Sequence, residues 1–210
     1  MRIQILAPVL VAALCACQTT SSSVGTSPQK ISVAAELAAA LRAELDLPVA
    51  ESPYTDVRTN WKERLPEEYV FVELRGSYTE TARALGGIFQ HLAAHDIEPT
   101  GAPFALFYDD PGHTPVSELR SRACVPVPVG TQVAGPFAVD QLPEALVVYA
   151  YIGGAYGEAP RAYPSLYAYM KKLSWAEAGP IRETYLVSPG SSRDWSDLVC
   201  EVQIPAQPTR

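Results

Sequence analysis

The sequence predicts an α+β fold in which one β-α-β-β unit occurs twice in tandem. The strands should form one antiparallel sheet, with the helices on one face and a ligand groove on the other. The main observation is an internal duplication, because LPEEYVFVELRGSY at 65–78 returns in kind as LPEALVVYAYIGGAY at 142–156. Apolar positions of the following helix, such as Leu85 and Ile88, also recur 78 positions later. A repeat of this length indicates a single supersecondary unit used twice.

The composition fits one folded domain. The chain has 210 residues, of which 48% are hydrophobic and 19% are charged, so it can bury a full core. Its formal net charge is −7, which leaves no basic surface to neutralise phosphate groups. We therefore expect no nucleic-acid partner, and a neutral or cationic small ligand suits this charge better.

Residues 1–17 are predicted to be a signal peptide. Arg2 gives a positive start, and residues 3–14 form an apolar run that is too short to span a bilayer. The run ends in Leu14-Cys15-Ala16-Cys17, which resembles the lipobox of bacterial lipoproteins. That resemblance implies processing before Cys17 and acylation of this residue with chains such as palmitate. An ordinary secretory signal with coincidental cysteines is the alternative.

Residues 18–31 are polar and of low complexity, as in a flexible tether. By resemblance to the sorting rule of Gram-negative lipoproteins, Gln18 after the cysteine implies the outer membrane, with the domain facing the periplasm. Residues 32–47 carry Leu37, Leu41 and Leu45 at steps of four, which predicts an amphipathic helix. We expect this helix to be a spacer or to dock on the flank of the domain.

The duplicated domain is predicted to cover residues 54–208, with repeats at 54–128 and 132–208. In each repeat an extended lead runs into a Leu-Pro turn, a strand follows, and glycine ends the strand before a helix. Ser77 and Glu80 have the spacing of a capping box, which predicts that the first helix starts there. The expected elements are leads at 54–62 and 132–140, strands at 69–75 and 146–152, helices ending near 94 and 173, and strand pairs at 104–109 with 123–127 and at 181–187 with 198–204.

Two cysteines remain if Cys15 is removed with the signal peptide and Cys17 is acylated. Cys124 and Cys200 are then an even pair in an oxidising compartment, and that count permits a disulfide. The two lie at non-equivalent positions of their strands, which favours free buried thiols instead. The sequence leaves both alternatives open.

Glu201 is the first candidate for a ligand-binding residue. Alternation along its strand places Cys200 and Val202 on one face and Glu201 on the other. The apolar face is expected to pack against the helices, so Glu201 would point into the groove, where a buried carboxylate often marks a site. The alternative is a structural role, with Glu201 on a solvated face or paired with Arg122.

Tyrosines are concentrated in the second repeat. Aromatic walls around an acidic floor suit a lipophilic cation. Tyr163 and Tyr167 fit a helix stripe and are expected to be core residues, whereas the face that Tyr149 and Tyr151 occupy is left open. The three histidines lack metal-ligand spacing and no phosphate-binding loop is present, so we predict no metal and no cofactor.

The segment FYDDPGHTP at 107–115 is similar to the GyrI-like family, as are the Gly-x-Tyr after each first strand and the EVQIP near the end. This family includes the DNA gyrase inhibitory protein and the effector-binding domains of AraC- and MerR-type regulators. The resemblance implies the duplicated fold with a central small-molecule pocket. The family's acidic pocket residue carries over to Glu201, and Arg122 stands where relatives often have an acidic residue and could neutralise it. The family's aromatic pocket lining carries over to Tyr108, Tyr151, Tyr156 and Tyr185.

Three functions are weighed from the sequence. The favoured one is a lipid-anchored envelope domain that binds an apolar, aromatic or cationic small molecule. Its predicted ligand-binding residues are Glu201 as counter-charge, with Tyr108, Tyr149, Tyr151, Tyr156, Tyr185 and Arg122. The second is a hydrolase of electrophilic or strained compounds, which the family resemblance implies, with Glu201 as general base and Tyr156 or Tyr151 assisting. The third is a module that binds a peptide or a partner lipoprotein in the periplasm.

Overall fold

The structure, a computed structural model, describes residues 28–187 and 194–209, with side chains described from residue 36 onward. The predicted signal peptide, Cys17 and most of the predicted tether therefore lie outside the described residues. Within this part of the chain, no helix has the length and apolarity needed to cross a membrane. The elements are α1 (Pro28–Glu44), β1 (Asn60–Arg64), β2 (Glu67–Arg75), α2 (Thr81–Ala94), β3 (Phe104–Phe107), β4 (Arg120–Pro126), β5 (Ala138–Leu142), β6 (Ala145–Gly153), α3 (Tyr163–Leu173), β7 (Trp175–Glu177), β8 (Ile181–Tyr185) and β9 (Val199–Pro208).

Eight strands lie side by side in the order β1-β6-β9-β8-β3-β4-β2-β5, and every neighbouring pair is antiparallel. β7 pairs with the far end of β9. The predicted leads end within the strands β1 and β5, and each strand pairs with the other repeat, β1 with β6 and β5 with β2. This exchange joins the repeats in one sheet. The predicted α+β class with an antiparallel sheet is confirmed.

The strand order reads the same from both edges once the two repeats are exchanged. The halves are therefore related by a pseudo-twofold axis, which passes between β3 and β8. On this axis Ala105 pairs with Glu183, its own equivalent 78 positions later. Gly76 and Gly154, also 78 positions apart, both have positive φ, at 112° and 97°. Glycine adopts this conformation without a Cβ clash, so the same turn ends the first long strand of each repeat.

Helices α2 and α3 pack on the same face of the sheet. The side chains that α2 buries include Leu85, Ile88 and Leu92, spaced by three and four residues, and α3 buries Leu166 and Met170 in the same manner. These side chains join Val70, Val125, Val148 and Val202 of the sheet in the main core. Each fully buried aliphatic side chain stabilises the fold by roughly 2 kcal/mol.

The start of α2 differs in detail from the predicted capping box. The Ser77 hydroxyl accepts a hydrogen bond from the Thr79 backbone N–H at 3.4 Å, and one turn of 3-10 helix, Tyr78–Glu80, precedes the α-helix. The Glu80 carboxylate pairs with Arg83 at 3.0 Å rather than returning to the cap. The helix therefore begins where the pattern indicated, with a different set of hydrogen bonds.

The other face of the sheet carries two smaller apolar clusters. Leu106 and Cys124 belong to the first, and Tyr149 and Tyr151 belong to the second, which packs against Ala38 of α1. The Tyr149 hydroxyl donates a hydrogen bond to the Asp46 carboxylate just beyond the end of α1. Helix α1 therefore docks on the sheet face that α2 and α3 leave open.

Cys124 and Cys200 are both free and buried. Cys124 packs with Tyr69 and Phe104 on the face away from α2 and α3, whereas Cys200 lies in the main core beneath those helices. Because the two sulfurs belong to opposite faces of the sheet, the structure shows free thiols rather than a disulfide.

Candidate ligand-binding cleft

Each face of the sheet carries a cleft among the described residues. The larger, the helix-side cleft, has a volume of about 860 Å³ and opens between α2 and α3 above the central strands β3 and β8. The smaller, the sheet-side cleft, has a volume of about 570 Å³ and lies on the opposite face beside Arg64, Arg182 and Gln203. The sequence predicted a groove only on the face opposite the helices, so the helix-side cleft is the new feature.

Glu183 of β8 is the charged residue at the floor of the helix-side cleft. The residue is 5% exposed, and alternation along β8 places it with Ile181 and Tyr185 on the helix-bearing face. Within the described part of the chain, no Lys, Arg or His nitrogen lies within 4 Å of this carboxylate. A buried carboxylate without a counter-ion is costly and is a recognised mark of a functional site.

Tyr163, the first residue of α3, is the polar partner of Glu183. Its hydroxyl donates a hydrogen bond to Glu183 Oε1 at 2.7 Å. Burial raises the pKa of Glu183 to about 7, although this hydrogen bond acts in the opposite direction. Burial and the adjacent carboxylate also raise the pKa of the Tyr163 hydroxyl far above its usual range. Glu183 therefore changes charge near neutral pH while Tyr163 stays protonated.

Two aromatic pairs flank the cleft and are related by the pseudo-twofold axis. Tyr78 and Phe107 have ring centroids 4.6 Å apart, and their equivalents Tyr156 and Tyr185 have centroids 4.4 Å apart. The hydroxyls are also held alike, since Tyr78 donates to the Asp109 carbonyl at 2.7 Å and Tyr156 donates to the Val187 carbonyl. The walls are thus built from the duplication itself and present aromatic rings from both halves.

The polar pair breaks this symmetry. The positions equivalent to Tyr163 and Glu183 in the first repeat hold Leu85 and Ala105. Ala105 pairs with Glu183 on the axis, and Leu85 lines the same cleft as Tyr163. One half of the cleft is therefore apolar at these two positions, and the other carries a hydrogen-bonded carboxylate.

The charges around the cleft have one sign. Asp109, Asp110 and Glu177 line it together with Glu183, whereas no Lys, Arg or His is among the described residues that line it. Asp109 is paired with Arg120, and Glu177 accepts a hydrogen bond from the Tyr167 hydroxyl at 2.9 Å. The cleft is therefore aromatic in its walls and acidic at its floor and rim, which favours cations over anions.

The predicted site residues divide between the two faces. Tyr156 and Tyr185 line the helix-side cleft, and Tyr108 contributes to its edge while also packing against the cluster of Leu106 and Cys124 on the far side. The others lie on the face away from α2 and α3, and they are Glu201, Tyr149, Tyr151 and Arg122. The structure thus brings three of the seven predicted residues to this cleft.

Glu201 and Arg122 are each held in a salt bridge, and not with one another. Glu201 Oε1 lies 2.5 Å from Lys62 Nζ, and Arg122 Nη1 lies 2.7 Å from Asp140 Oδ2. The register of the strands makes Arg122 the equivalent of Glu201 and Asp140 the equivalent of Lys62, so the halves hold the same bridge with the charges exchanged. Tyr149 lies under the Lys62 ammonium at 4.3 Å, as its equivalent Phe71 lies under Arg122 at 4.0 Å. A structural role accounts for both bridges.

Of the two catalytic pairs considered from the sequence, Glu201 with Tyr156 is not assembled, whereas Tyr151 lies directly opposite Glu201 in the strand register. Glu201 faces away from α2 and α3, whereas Tyr156 lines the helix-side cleft, with its hydroxyl bound to the Val187 carbonyl. Burial also raises the pKa of Tyr156 above its usual range, so this hydroxyl is a poor proton donor. Across the described residues, no group of three His, Cys, Asp or Glu side chains could hold a metal ion.

The sequence contains a signal for Glu183. Aligning the repeats at the 78-residue offset sets Glu183 opposite Ala105, in a strand whose helix-facing positions are apolar in the first repeat. A charged residue at such a position costs several kcal/mol unless it has a function or a partner. Comparing the repeats therefore singles out Glu183 as an unusual residue. It identifies a ligand site only when the helix-bearing face is known to enclose the cleft.

The duplicated fold and the enclosed carboxylate define a small-molecule-binding domain. The family model described as "GyrI-like small molecule binding domain" matches residues 60–207, and the chain belongs to this family. No curated protein matches the chain in sequence.

Solved structures share the fold at low sequence identity. The C-terminal domain of EcmrR is 16% identical with a TM-score of 0.66, and the match covers 73% of this chain and 99% of that one. EcmrR in a complex with DNA is 15% identical with a TM-score of 0.67, covering 86% of this chain and 68% of that one. A hydrolase from Listeria innocua is 9% identical with a TM-score of 0.52, covering 80% of this chain and 98% of that one. Identities this low establish the common fold alone.

Proposed function

We propose that this GyrI-like domain binds an aromatic or otherwise apolar cation in the helix-side cleft, with Glu183 as the counter-charge. The observation that supports the proposal is the buried Glu183 carboxylate, which has no cationic side chain within 4 Å among the described residues. DNA binding, which is described for EcmrR, is not part of the proposal, because the formal net charge of −7 opposes contact with phosphate groups.

The chemistry of the cleft explains the preference for such a ligand. A cation beside Glu183 replaces the solvation that the carboxylate loses on burial, so this one ion pair supplies much of the binding energy. The rings of Tyr156 and Tyr185 on one side, and of Tyr78 and Phe107 on the other, offer flat apolar surface and cation–π contacts worth about 0.5–2 kcal/mol each. A neutral ligand would gain only the apolar part.

Two ions of the same shape and opposite charge test the proposal. Tetraphenylphosphonium and tetraphenylborate should be titrated into the protein at pH 8 by isothermal calorimetry. We expect the phosphonium to bind at least tenfold more tightly, and Glu183→Gln to remove most of that preference while leaving the fold intact. Glu201→Gln is the matched control, since it removes a carboxylate from the other face. Equal affinity for the two ions, or a preference that survives Glu183→Gln, would refute the role of Glu183.

Hydrolysis is the second candidate function, supported by a specific feature of the same pair. A carboxylate whose pKa is about 7 suits a general base at neutral pH, and the Tyr163 hydroxyl lies 2.7 Å away as a hydrogen-bond donor. The structural relative from Listeria innocua is described as a hydrolase. Turnover of an electrophile such as styrene oxide, lost in both Glu183→Gln and Tyr163→Phe, would support this function. Tight binding of the phosphonium without turnover of a series of electrophiles would leave binding as the function.

We further propose that the domain is tethered to the cell envelope by a lipid on Cys17, facing the periplasm. The support is the sequence Leu14-Cys15-Ala16-Cys17 after an apolar run, followed by the polar stretch 18–31. Metabolic labelling with an alkyne analogue of palmitate should mark the wild-type protein and Cys15→Ala, but not Cys17→Ala. Labelling that persists in Cys17→Ala would refute this attachment point.

A further inference from the structure

The face of the sheet away from α2 and α3 differs between the two halves. In one half it is filled by a cluster of apolar side chains from β2, β3, β4 and β5. The strand pairings identify the equivalent positions in the other half, since Phe104 pairs with Cys124 as Arg182 pairs with Gln203. Four apolar positions of this cluster have polar equivalents in the other half: Leu142 corresponds to Arg64, Phe104 to Arg182, Leu106 to Thr184 and Cys124 to Gln203. Four buried apolar side chains are thus replaced by four buried polar ones.

The sheet-side cleft lies at these polar residues. Arg64, Arg182 and Gln203 line it, and all three are less than 10% exposed. Its rim is apolar, because Leu65 and Val129 also line the cleft and are 74% and 84% exposed. The cleft therefore combines a floor of buried arginine and glutamine with an apolar edge, and its lining also includes Lys62 and the carboxylates of Glu63, Glu67 and Glu68.

Several polar atoms of the floor lack partners. Arg64 Nη2 donates to the Pro143 carbonyl at 3.2 Å, but Arg64 Nε is buried with no hydrogen-bond partner. No carboxylate among the residues that the structure describes lies within 4 Å of the Arg64 guanidinium. The side-chain oxygen Oε1 of Gln203 is likewise buried and unpartnered. A buried donor without an acceptor costs about 1–3 kcal/mol, and the oxygens of an anionic ligand can accept from the Arg64 guanidinium, although not donate to Gln203 Oε1.

Most other charges that line the cleft are engaged, and the remaining one, the Glu63 carboxylate, is exposed to solvent. Arg182 Nη2 lies 2.8 Å from Glu67 Oε2, and Lys62 is bound to Glu201. The Glu68 carboxylate accepts hydrogen bonds from the backbone of Gly130 and Thr131. Arg64 is therefore the buried charge that has no counter-charge of its own.

We infer that the sheet-side cleft is a second ligand site, which takes a small organic oxyanion. The carboxylate or phosphate group of the ligand lies at Arg64, whose guanidinium group offers N–H donors to such oxygens. A short apolar group of the ligand lies against Leu65 and Val129. The site is separate from the helix-side cleft, since the sheet lies between them, and it prefers the opposite charge.

The test uses octanoate, butyl phosphate and inorganic phosphate as probes with the whole protein. We expect octanoate and butyl phosphate to bind, and Arg64→Leu to weaken both at least tenfold, because leucine stands at the equivalent position 142. Arg83→Leu is the matched control, since it removes an 84% exposed arginine side chain on the helix-bearing face and should change neither affinity. Failure of both organic anions to bind at millimolar concentration would overturn the inference.

Two further measurements test the inference if Arg64→Leu does not fold. Val129→Ser changes an exposed rim residue and should weaken octanoate while leaving inorganic phosphate unaffected. Octanoate should also shift the Nε–H signal of Arg64 in the NMR spectrum of the wild-type protein, and an unshifted signal at saturation would contradict the site. Equal affinity for butyl phosphate and inorganic phosphate would overturn the assignment of an organic ligand.

Independence from the helix-side cleft is also measurable. Glu183→Gln should leave octanoate affinity unchanged, and saturating tetraphenylphosphonium should not displace octanoate. Displacement would place the anion in the helix-side cleft and refute the second site. These results do not depend on whether the phosphonium preference itself is found.

Discussion

Replacing Glu183 with glutamine should change how the stability of the protein depends on pH. Burial raises the pKa of Glu183 from its ordinary value of 4.5 to about 7 in the folded protein. Folding therefore favours the protonated form of Glu183. The stability that this form contributes to the fold is fully present below pH 4.5 and is lost as the pH rises to about 7. A shift of this size corresponds to about 3 kcal/mol. Glutamine is neutral throughout and mimics the protonated acid.

The difference in unfolding free energy between Glu183→Gln and the wild type isolates this effect, because other titrating groups cancel. We expect urea denaturation at half-unit steps from pH 4.5 to 8 to show the variant gaining about 3 kcal/mol relative to the wild type across that range. Tyr163→Phe is the companion variant, since losing its hydrogen bond should move the upper end of the window to higher pH. A difference that stays flat within about 0.5 kcal/mol would refute the burial of an unpaired carboxylate.

Three further predictions concern other parts of the molecule. The affinity for tetraphenylphosphonium should fall as the pH drops below 7, approaching about tenfold per pH unit, because protons compete with the ligand for the Glu183 carboxylate. Calorimetry at pH 5 to 8 checks this, and an affinity that does not depend on pH would contradict it. Lys62→Met should destabilise the protein by about 2 kcal/mol in urea denaturation, because it leaves the Glu201 carboxylate buried and unpaired. The Lys62 side chain is about one-third exposed, which keeps this loss below that of a fully buried pair. Unchanged stability would argue against the bridge. Cys124 and Cys200 should react with iodoacetamide only after unfolding, as judged by peptide mass spectrometry, whereas a disulfide-linked peptide from the non-reduced protein would contradict the structure.

The pseudo-symmetry of the fold separates structural residues from functional ones. The bridges Lys62–Glu201 and Asp140–Arg122 occur in both halves with exchanged charges, as expected of residues that hold a duplicated fold together. The Glu183 carboxylate occurs in one half only, opposite Ala105. A feature confined to one repeat of a duplicated domain is free to serve a ligand, because the other repeat shows that the fold does not require it.

The orientation of Glu201 is predictable from the sequence, whereas its partner is not. Alternation along β9 predicts that Glu201 faces away from Val202 and the helices, and the structure agrees. It could not show that Lys62 lies across from Glu201. Lys62 belongs to β1, which pairs with β6 of the other repeat, and no local sequence pattern predicts that pairing.

The sequence by itself determined the duplication, the order of the main helices and strands, and the side of β9 that packs against α2 and α3. These follow from periodicities of 2 and 3.6 residues and from a repeated spacing, all of which are written locally in the chain. Only the tertiary structure decided which sheet face encloses the larger cleft, that Glu183 lies at its floor on the pseudo-twofold axis, and that Glu201 is bound to Lys62. Those facts depend on how distant strands pair and on where two helices leave a gap, and such long-range geometry is set by the packing of the whole domain.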